Sequence, residues 1–131
     1  MARVRRAAAA DVLRIVDMIE DLRSAVQGPV LVDRAWTART VAGLLADQRG
    51  VVFVTDGGFI AGSLRPTIIN PEPIAVEHGW FSRDRSGLAL LRAFEGWARA
   101  HGARLIQLST GADGLDLSRF GYRLTERAWV K

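Results

Sequence analysis

Along the first part of the chain, apolar residues recur at helical spacing. From Asp11 onward they fall at Val12, Ile15, Val16, Ile19, Leu22 and Val26, the rhythm of a helix with one buried face. Asp11 stands where a carboxylate caps a helix or complements its dipole. Gly28-Pro29 ends the pattern. A short strand over residues 4–7 precedes it. A second helix is predicted over 34–47, with Trp36, Val41, Leu44 and Leu45 inward, closed by Gln48-Arg49-Gly50. The period then shortens. VVFVT at 51–55 is β-branched, Asp56-Gly57-Gly58 is a tight-turn signal, and FIAGSLRPTII at 59–69 supplies a partner strand. Residues 51–69 therefore read as a β-hairpin, and Pro66 marks a bulge or an edge late in it. NPEP reads as a loop and 74–81 as the third strand of the meander.

A third helix runs from Gly87 to about His101. Leu88, Leu91, Phe94, Trp97, Ala98 and His101 form its apolar stripe. Ser86 or Asp84 is placed to cap its start, and Gly102 stops it. RLIQLS at 104–109 follows this crossover helix, so it should pair in parallel with 74–81. TGADG is a loop, 115–120 is at most a short helix, and Gly121 turns the chain into a last strand at 122–130. The order β-α-α-β-β-β-α-β-(α)-β describes a single α/β domain over 1–131, with a mixed, mostly antiparallel sheet flanked by helices. No internal repeat, linker or low-complexity segment interrupts it.

Composition narrows what such a domain does. Its 131 residues are enough for a real core. With no cysteine, disulfides, thiolate metal sites and a Cys nucleophile are excluded. His78 and His101 lack metal-ligand spacing, so no metal is expected. The formal net charge is +4 and Lys131 is the only lysine. Apart from RVRR near the start, the arginines are scattered singly, the mark of an arginine-biased genome more than of a polyanion groove. Nucleic acid is therefore disfavoured as a partner, while an anionic cofactor is accommodated. MARVRRAAAADVLRIV has the outline of a leader. However, Asp11, Arg14 and Asp17 break any apolar stretch, and acidic residues do not suit a transit peptide. No run approaches the roughly 18 apolar residues of a membrane span, so a cytoplasmic protein with no membrane partner is expected.

Several segments, in this order, resemble one family. VRRAAAADVLRIVDMI is similar to the opening strand and helix of the GNAT N-acetyltransferases, GWARAHGARLIQLS to their third helix and fifth strand, and LSRFGYRLTERAWVK, with Gly121 before Tyr122, to their closing segment. The combination EHGWF, GLALLRAFEGWA and GARLIQL is most like short bacterial and phage members. The resemblance covers nearly the whole chain. It implies a GNAT-like acyl-CoA N-acyltransferase fold and transfer of an acetyl group from acetyl-CoA, as cosubstrate, to a primary amine by direct attack. The acceptor implied is a small molecule or a peptide. The fourth strand then splays from the fifth and holds pantetheine, and the following loop and helix N-terminus hold the pyrophosphate. Converging N–H groups and the helix dipole suit an anion there on physical grounds alone.

Carried onto this chain, the cofactor-binding residues are Trp80, Phe81, Ser82, Arg83, Arg85, Ser86, Gly87, Leu88 and Ala89. The family's Gln/Arg-x-x-Gly-x-Gly/Ala motif fits in two ways. One puts Gly87 and Ala89 on its last two positions and Asp84 where Gln or Arg belongs; the other makes Gly87 the last position, with Arg85 and Ser86 in the glycine-rich part of a shorter loop. Both make Gly87 the helix-entry residue. Glu77 is the implied general base and His78, pointing to the other face of the strand, the reserve. The tyrosine that many members use as general acid is replaced by Leu117; Ser118 and Tyr122 are nearby hydroxyls, and Tyr122 is expected to pack in the sheet. Trp80 and Trp129 are expected in the core. Acceptor choice is implied in the first two helices and the loop at 27–33, with Asp33, Asp47 and Trp36 as candidates. Two other readings compete: a GNAT-like binding or assembly module that has lost catalysis, in a phage context, and a basic nucleic-acid binder. A homodimer through the last strands is an expectation by analogy.

Overall fold

The computed structural model describes residues 3–131, and the β-branched middle of the chain forms the spine of its sheet. Strands β1 (Arg5–Arg6), β2 (Gly50–Val54), β3 (Gly58–Thr67), β4 (Asn70–Ser82) and β5 (Ile106–Gln107) lie side by side in sequence order. Neighbours are antiparallel except β4 and β5, which pair in parallel as Ala75 with Ile106 and Val76 with Gln107. The parallel pair follows from its connection, because a helix must carry the chain back before β5 can begin.

Alternation along the strands feeds two cores. Val52, Val54, Phe59 and Ala61 point to one face, against Ile15 and Met18 of α1 (Val12–Val26) and Val41 of α2 (Arg34–Ala46). Val51, Ile60, Leu64 and Ala75 point to the other, against Leu90, Leu91, Phe94, Trp97 and Ala98 of α3 (Gly87–Ala100). Gly62 belongs to this second face for a steric reason. A Cβ there would lie 2.4 Å from the Phe94 ring, so the ring packs directly on the strand backbone. A bulge sits beside it: Ala61 pairs with Gly79 and Gly62 with Glu77, which leaves His78 as the extra residue of β4.

Several predicted boundaries move. NPEP is not a loop: β3 and β4 turn at Ile68 and Ile69, Thr67 pairs with Asn70, and β4 runs through those residues. The predicted strand at 104–109 shrinks to two paired residues. Helix α1 begins after a 3-10 turn at Ala9–Asp11 and ends at Gln27 in the left-handed region, one residue before Gly28. The short helix predicted at 115–120 is a single 3-10 turn, Ser118–Phe120. The stripe on α3 is rotated from prediction: Leu90 is buried, whereas Leu88 and His101 are exposed. Trp36, expected inward, is 64% exposed.

The last predicted strand does not form. Residues 122–130 make no ladder, and Leu124, Trp129 and Val130 are exposed. Trp129 is therefore not a core residue. The alternation is present in the sequence, but β5 offers only two paired residues beside it, and a strand exists only where a second backbone completes its hydrogen bonds. Tyr122 is tied elsewhere: its phenol donates to Glu95 Oε2 of α3 at 2.7 Å, rather than packing within a strand.

Candidate functional site

Two backbone features meet at the C-terminal half of β4. Past Val76 the strand runs on to Ser82 with no β5 partner, so its edge is open. At the point of separation the Ser109 N–H donates to Glu77 Oε1 at 2.9 Å. Glu77 is 8% exposed, and burial pushes its carboxyl up to about 7, the Ser109 N–H offsetting this only in part. Its Oε2 makes no hydrogen bond to the chain. Trp97 Nε1 is the one fully buried side-chain polar atom without a partner among the described residues. Oε2 is therefore open to solvent. A half-protonated carboxyl with one fixed and one free oxygen is suited to taking a proton near neutral pH.

His78 lies on the other side of the strand, as the bulge requires. It is exposed, and its Nε2 shares a 2.7 Å hydrogen bond with Ser63 Oγ. Burial and the neighbouring Arg65 both push its pKa down. The structure thus separates Glu77 from His78 and sets only Glu77 at the divergence of β4 and β5.

The loop after β4 is built around one carboxylate. Asp84 accepts from Thr55 Oγ1 at 2.9 Å, the Gly57 N–H at 2.9 Å, Ser82 Oγ at 3.0 Å and the Ser86 N–H at 3.2 Å, and also from Ser86 Oγ. Desolvation pushes the Asp84 pKa up, but these donors outweigh it and hold the carboxyl well below its ordinary range. The Ser86 N–H also reaches Ser82 Oγ at 2.8 Å, and its hydroxyl lies 2.8 Å from Thr55 Oγ1. The loop is thereby pinned to the β2–β3 turn, where the Arg83 N–H donates to the Gly57 carbonyl.

Arg85 takes the strained position. Its φ is +61°, the left-handed conformation that a glycine-rich loop would adopt freely. The backbone shape is kept although the glycine is absent. Ser86 is the N-cap of α3, yet its hydroxyl is committed to the loop and caps nothing. The N–H groups of Gly87, Leu88 and Ala89 are left without side-chain partners at the positive end of the helix dipole. A Cβ at Gly87 would meet nothing nearer than 3.8 Å, so internal packing does not require glycine there. Trp80 Nε1 donates to the Gly87 carbonyl at 3.0 Å and straps this turn to β4.

The remaining residues of interest are dispersed. Phe81 faces the α1 side. Arg83 is half exposed, 3.3 Å from Asp21 and over the Phe81 ring. Leu88 and Ala89 are exposed on the first turn of α3. Asp33 Oδ1 caps α2 through the Trp36 N–H at 3.0 Å, and Asp47 Oδ1 accepts the Arg49 N–H at 2.8 Å. Sequence reasoning missed the part played by Thr55 and Gly57, and it gave Asp84 no role beyond capping. The signal was present in Ser82-x-Asp84-x-Ser86, since such side chains bond their own backbone in turns. Among the described residues no cluster of three or more His, Asp or Glu could hold a metal ion, and no helix is long and apolar enough to cross a membrane.

No protein-family profile and no curated protein matches the chain. Solved structures do match, over the whole chain. A Clostridium acetobutylicum protein assigned as an acetyltransferase and solved with acetyl-CoA is 16% identical, with a TM-score of 0.81 over 100% of this chain and 95% of its own. An Arthrobacter sp. FB24 protein, also assigned as an acetyltransferase, is 26% identical, with a TM-score of 0.75 over 100% and 91%. AAC(6')-Iy, in complex with the bisubstrate analogue CoA-S-monomethyl-acetylneamine, is 18% identical, with a TM-score of 0.77 over 100% and 97%. The chain has the fold of the GNAT acetyltransferases.

Proposed function

We propose that the chain is an acetyl-CoA-dependent N-acetyltransferase acting on a primary amine. The carrying observation is Glu77, a buried carboxyl with a pKa of about 7 and one free oxygen, set where β4 parts from β5. The fit to CoA rests on the open β4 edge, the uncapped N–H groups of Gly87, Leu88 and Ala89, the left-handed backbone of Arg85, and the positive charges of Arg83 and Arg85 in the same loop. These groups suit a pyrophosphate at a helix N-terminus. Trp80, Phe81 and Ser82 hold the strand and loop that frame this position.

Bound there, acetyl-CoA supplies the acetyl group to the attacking amine and leaves as the thiol. Glu77 Oε2 takes the proton that the amine nitrogen loses as its bond to the carbonyl carbon forms. Ser109 holds Oε1 and so aims the second oxygen. The chain has a single tyrosine, and its hydroxyl is spent on Glu95. With Leu117 at the position of the family's acid, the thiolate takes its proton from solvent. The acceptor approaches past the loop at 27–33 and the first turn of α2, where Val30, Leu31 and Trp36 are exposed, as a small-molecule or peptide amine.

A thermal-shift titration with acetyl-CoA and CoA tests this. Binding raises stability by RT ln(1 + [L]/Kd), so unfolding should move upward steadily through millimolar ligand. Gly87→Pro is the control, since proline is tolerated at the first helical position but removes an N–H. No shift at millimolar acetyl-CoA overturns the proposal. The missing tyrosine favours one second reading, a domain that binds CoA without turning over. Binding with no acetylation across an amine panel, unaltered by Glu77→Gln, would select it.

A further inference from the structure

The RVRR stretch has a split fate. Arg5 points to the α1 side and pairs with Asp11, Nη1 to Oδ2 at 2.8 Å and Nη2 to Oδ1 at 2.9 Å. Arg6, the next residue of β1, points to the other face, with its guanidinium 5.8 Å over the Phe53 ring. There it lines a cavity of about 450 Å³ together with Gln48, Arg49, Leu64, Pro73 and His101. The volume falls in the range of small-ligand sites, roughly 300–1,000 Å³. The cavity lies by the C-terminal end of α3. A helix of 14 residues is about 21 Å long, so the cavity is remote from the loop at Arg85.

Its lining is one-sided in charge. It contains two guanidiniums, an amide and an imidazole, and no carboxylate. Six arginines elsewhere are held in ion pairs: Arg5 and Arg14 by Asp11, Arg34 by Asp17 and Glu20, Arg83 by Asp21, Arg92 by Glu95 and Arg104 by Glu72. Arg6 and Arg49 have no ion-pair partner among the described residues. Asp47, two residues from Arg49, has one oxygen on the Arg49 backbone N–H.

The negative end of α3 would oppose an anion, but three of its last four carbonyls already accept hydrogen bonds. Trp97 O accepts from the His101 N–H at 3.1 Å and from His101 Nδ1 at 2.9 Å; Ala98 O accepts from the Ala103 N–H at 3.0 Å, and Arg99 O from the Gly102 N–H at 3.1 Å. Because a carbonyl only accepts, Nδ1 carries the proton and Nε2 is the free nitrogen of the ring. The floor, Leu64 and Pro73, is apolar.

We propose that this cavity is a second binding site, for a small molecule bearing a phosphate or comparable oxyanion on a compact apolar body. Two guanidiniums in one lining match such a group in charge, and each offers the forked N–H donors that an oxyanion accepts. A single cup does not follow a polymer backbone, so the ligand is a small molecule rather than a nucleic acid. The site stands independently of the acyl-transfer reading.

The test is a titration of the full chain with inorganic phosphate and pyrophosphate, followed by amide NMR shifts. Saturable shifts are expected at Arg6, Gln48, Arg49, Leu64 and His101. Arg49→Ala should weaken this binding about tenfold or more, the scale of a lost charge-assisted hydrogen bond, while Arg85→Ala leaves it unchanged. Arg49 lies in an exposed turn, and an unaltered unfolding temperature would show that the fold survives. Arg49→Lys should recover only part of the affinity. Shifts confined to residues 83–89, or equal binding by Arg49→Ala, would overturn the proposal. So would steeply salt-dependent retention of duplex DNA that is lost in the same variant.

Discussion

The Ser109 N–H meets Glu77 Oε1 at 2.9 Å where the parallel ladder between β4 and β5 gives out. The next rung is made by a side chain instead of the backbone. That substitution buries the carboxylate, fixes one of its oxygens and leaves the strand edge beyond it free.

Glu77 should govern two pH dependences. Its folded pKa, about 7, lies above the ordinary carboxylate value of 4.5. The folded chain therefore holds the proton more tightly, and stability from this group is full below pH 4.5 and is lost as pH rises through 7. Glu77→Gln removes that loss, so the variant should gain on the wild type between pH 5 and pH 8 in denaturant titrations. Acetylation, if Glu77 is the base, should rise through an apparent pKa near 7 and fall by about a hundredfold or more in Glu77→Gln. A variant with unaltered rate and pH profile would limit Glu77 to a wedge between strands.

Asp84 has the opposite sign. Its carboxyl is held below its ordinary value by the donors around it, so its stabilisation is present above pH 4 and is lost as pH falls through the lowered pKa. Asp84→Ala should reduce the acid sensitivity of the protein and loosen residues 83–86. Faster amide exchange at Gly57 and Ser86, with weaker CoA binding, would show both effects. Exchange rates identical to wild type would mean that the loop does not depend on this carboxylate.

Arg85 separates charge from backbone strain. Arg85→Gly accepts the left-handed φ without a Cβ penalty of about 1–2 kcal/mol, offset in part by the greater freedom of glycine in the unfolded chain. Stability should hold or rise slightly while CoA affinity falls. Arg85→Val should lose both. Equal CoA affinity in Arg85→Gly and wild type would remove the guanidinium from the cofactor site.

Gly62→Ala tests the packing of α3 on the sheet. With a Cβ only 2.4 Å from the Phe94 ring and 2.7 Å from the Val76 carbonyl, the strand or the ring must shift. A loss of about 1–3 kcal/mol is expected in urea titrations. An unchanged midpoint would mean that Phe94 has room to move.

The sequence by itself determined the element order as far as β5, the parallel pairing of β4 with β5 and the two-faced strands. Each follows from spacing within a few residues: Val51 and Val52 must face opposite ways in any strand, and a helix must intervene before β5. It also placed Glu77 and His78 on opposite faces. Tertiary structure alone decided what depends on a distant partner. Leu90 rather than Leu88 is buried because the backbone of Gly58 lies against it; a Cβ there would be 2.9 Å from Leu90 Cδ1. Residues 122–130 alternate like a strand but meet no backbone to complete a ladder. Asp84 became the centre of the loop only because Thr55 and Gly57, some thirty residues earlier, fold beneath it. The pKa of Glu77 was likewise beyond a sequence reading to settle, since it is set by burial at the point where two strands part.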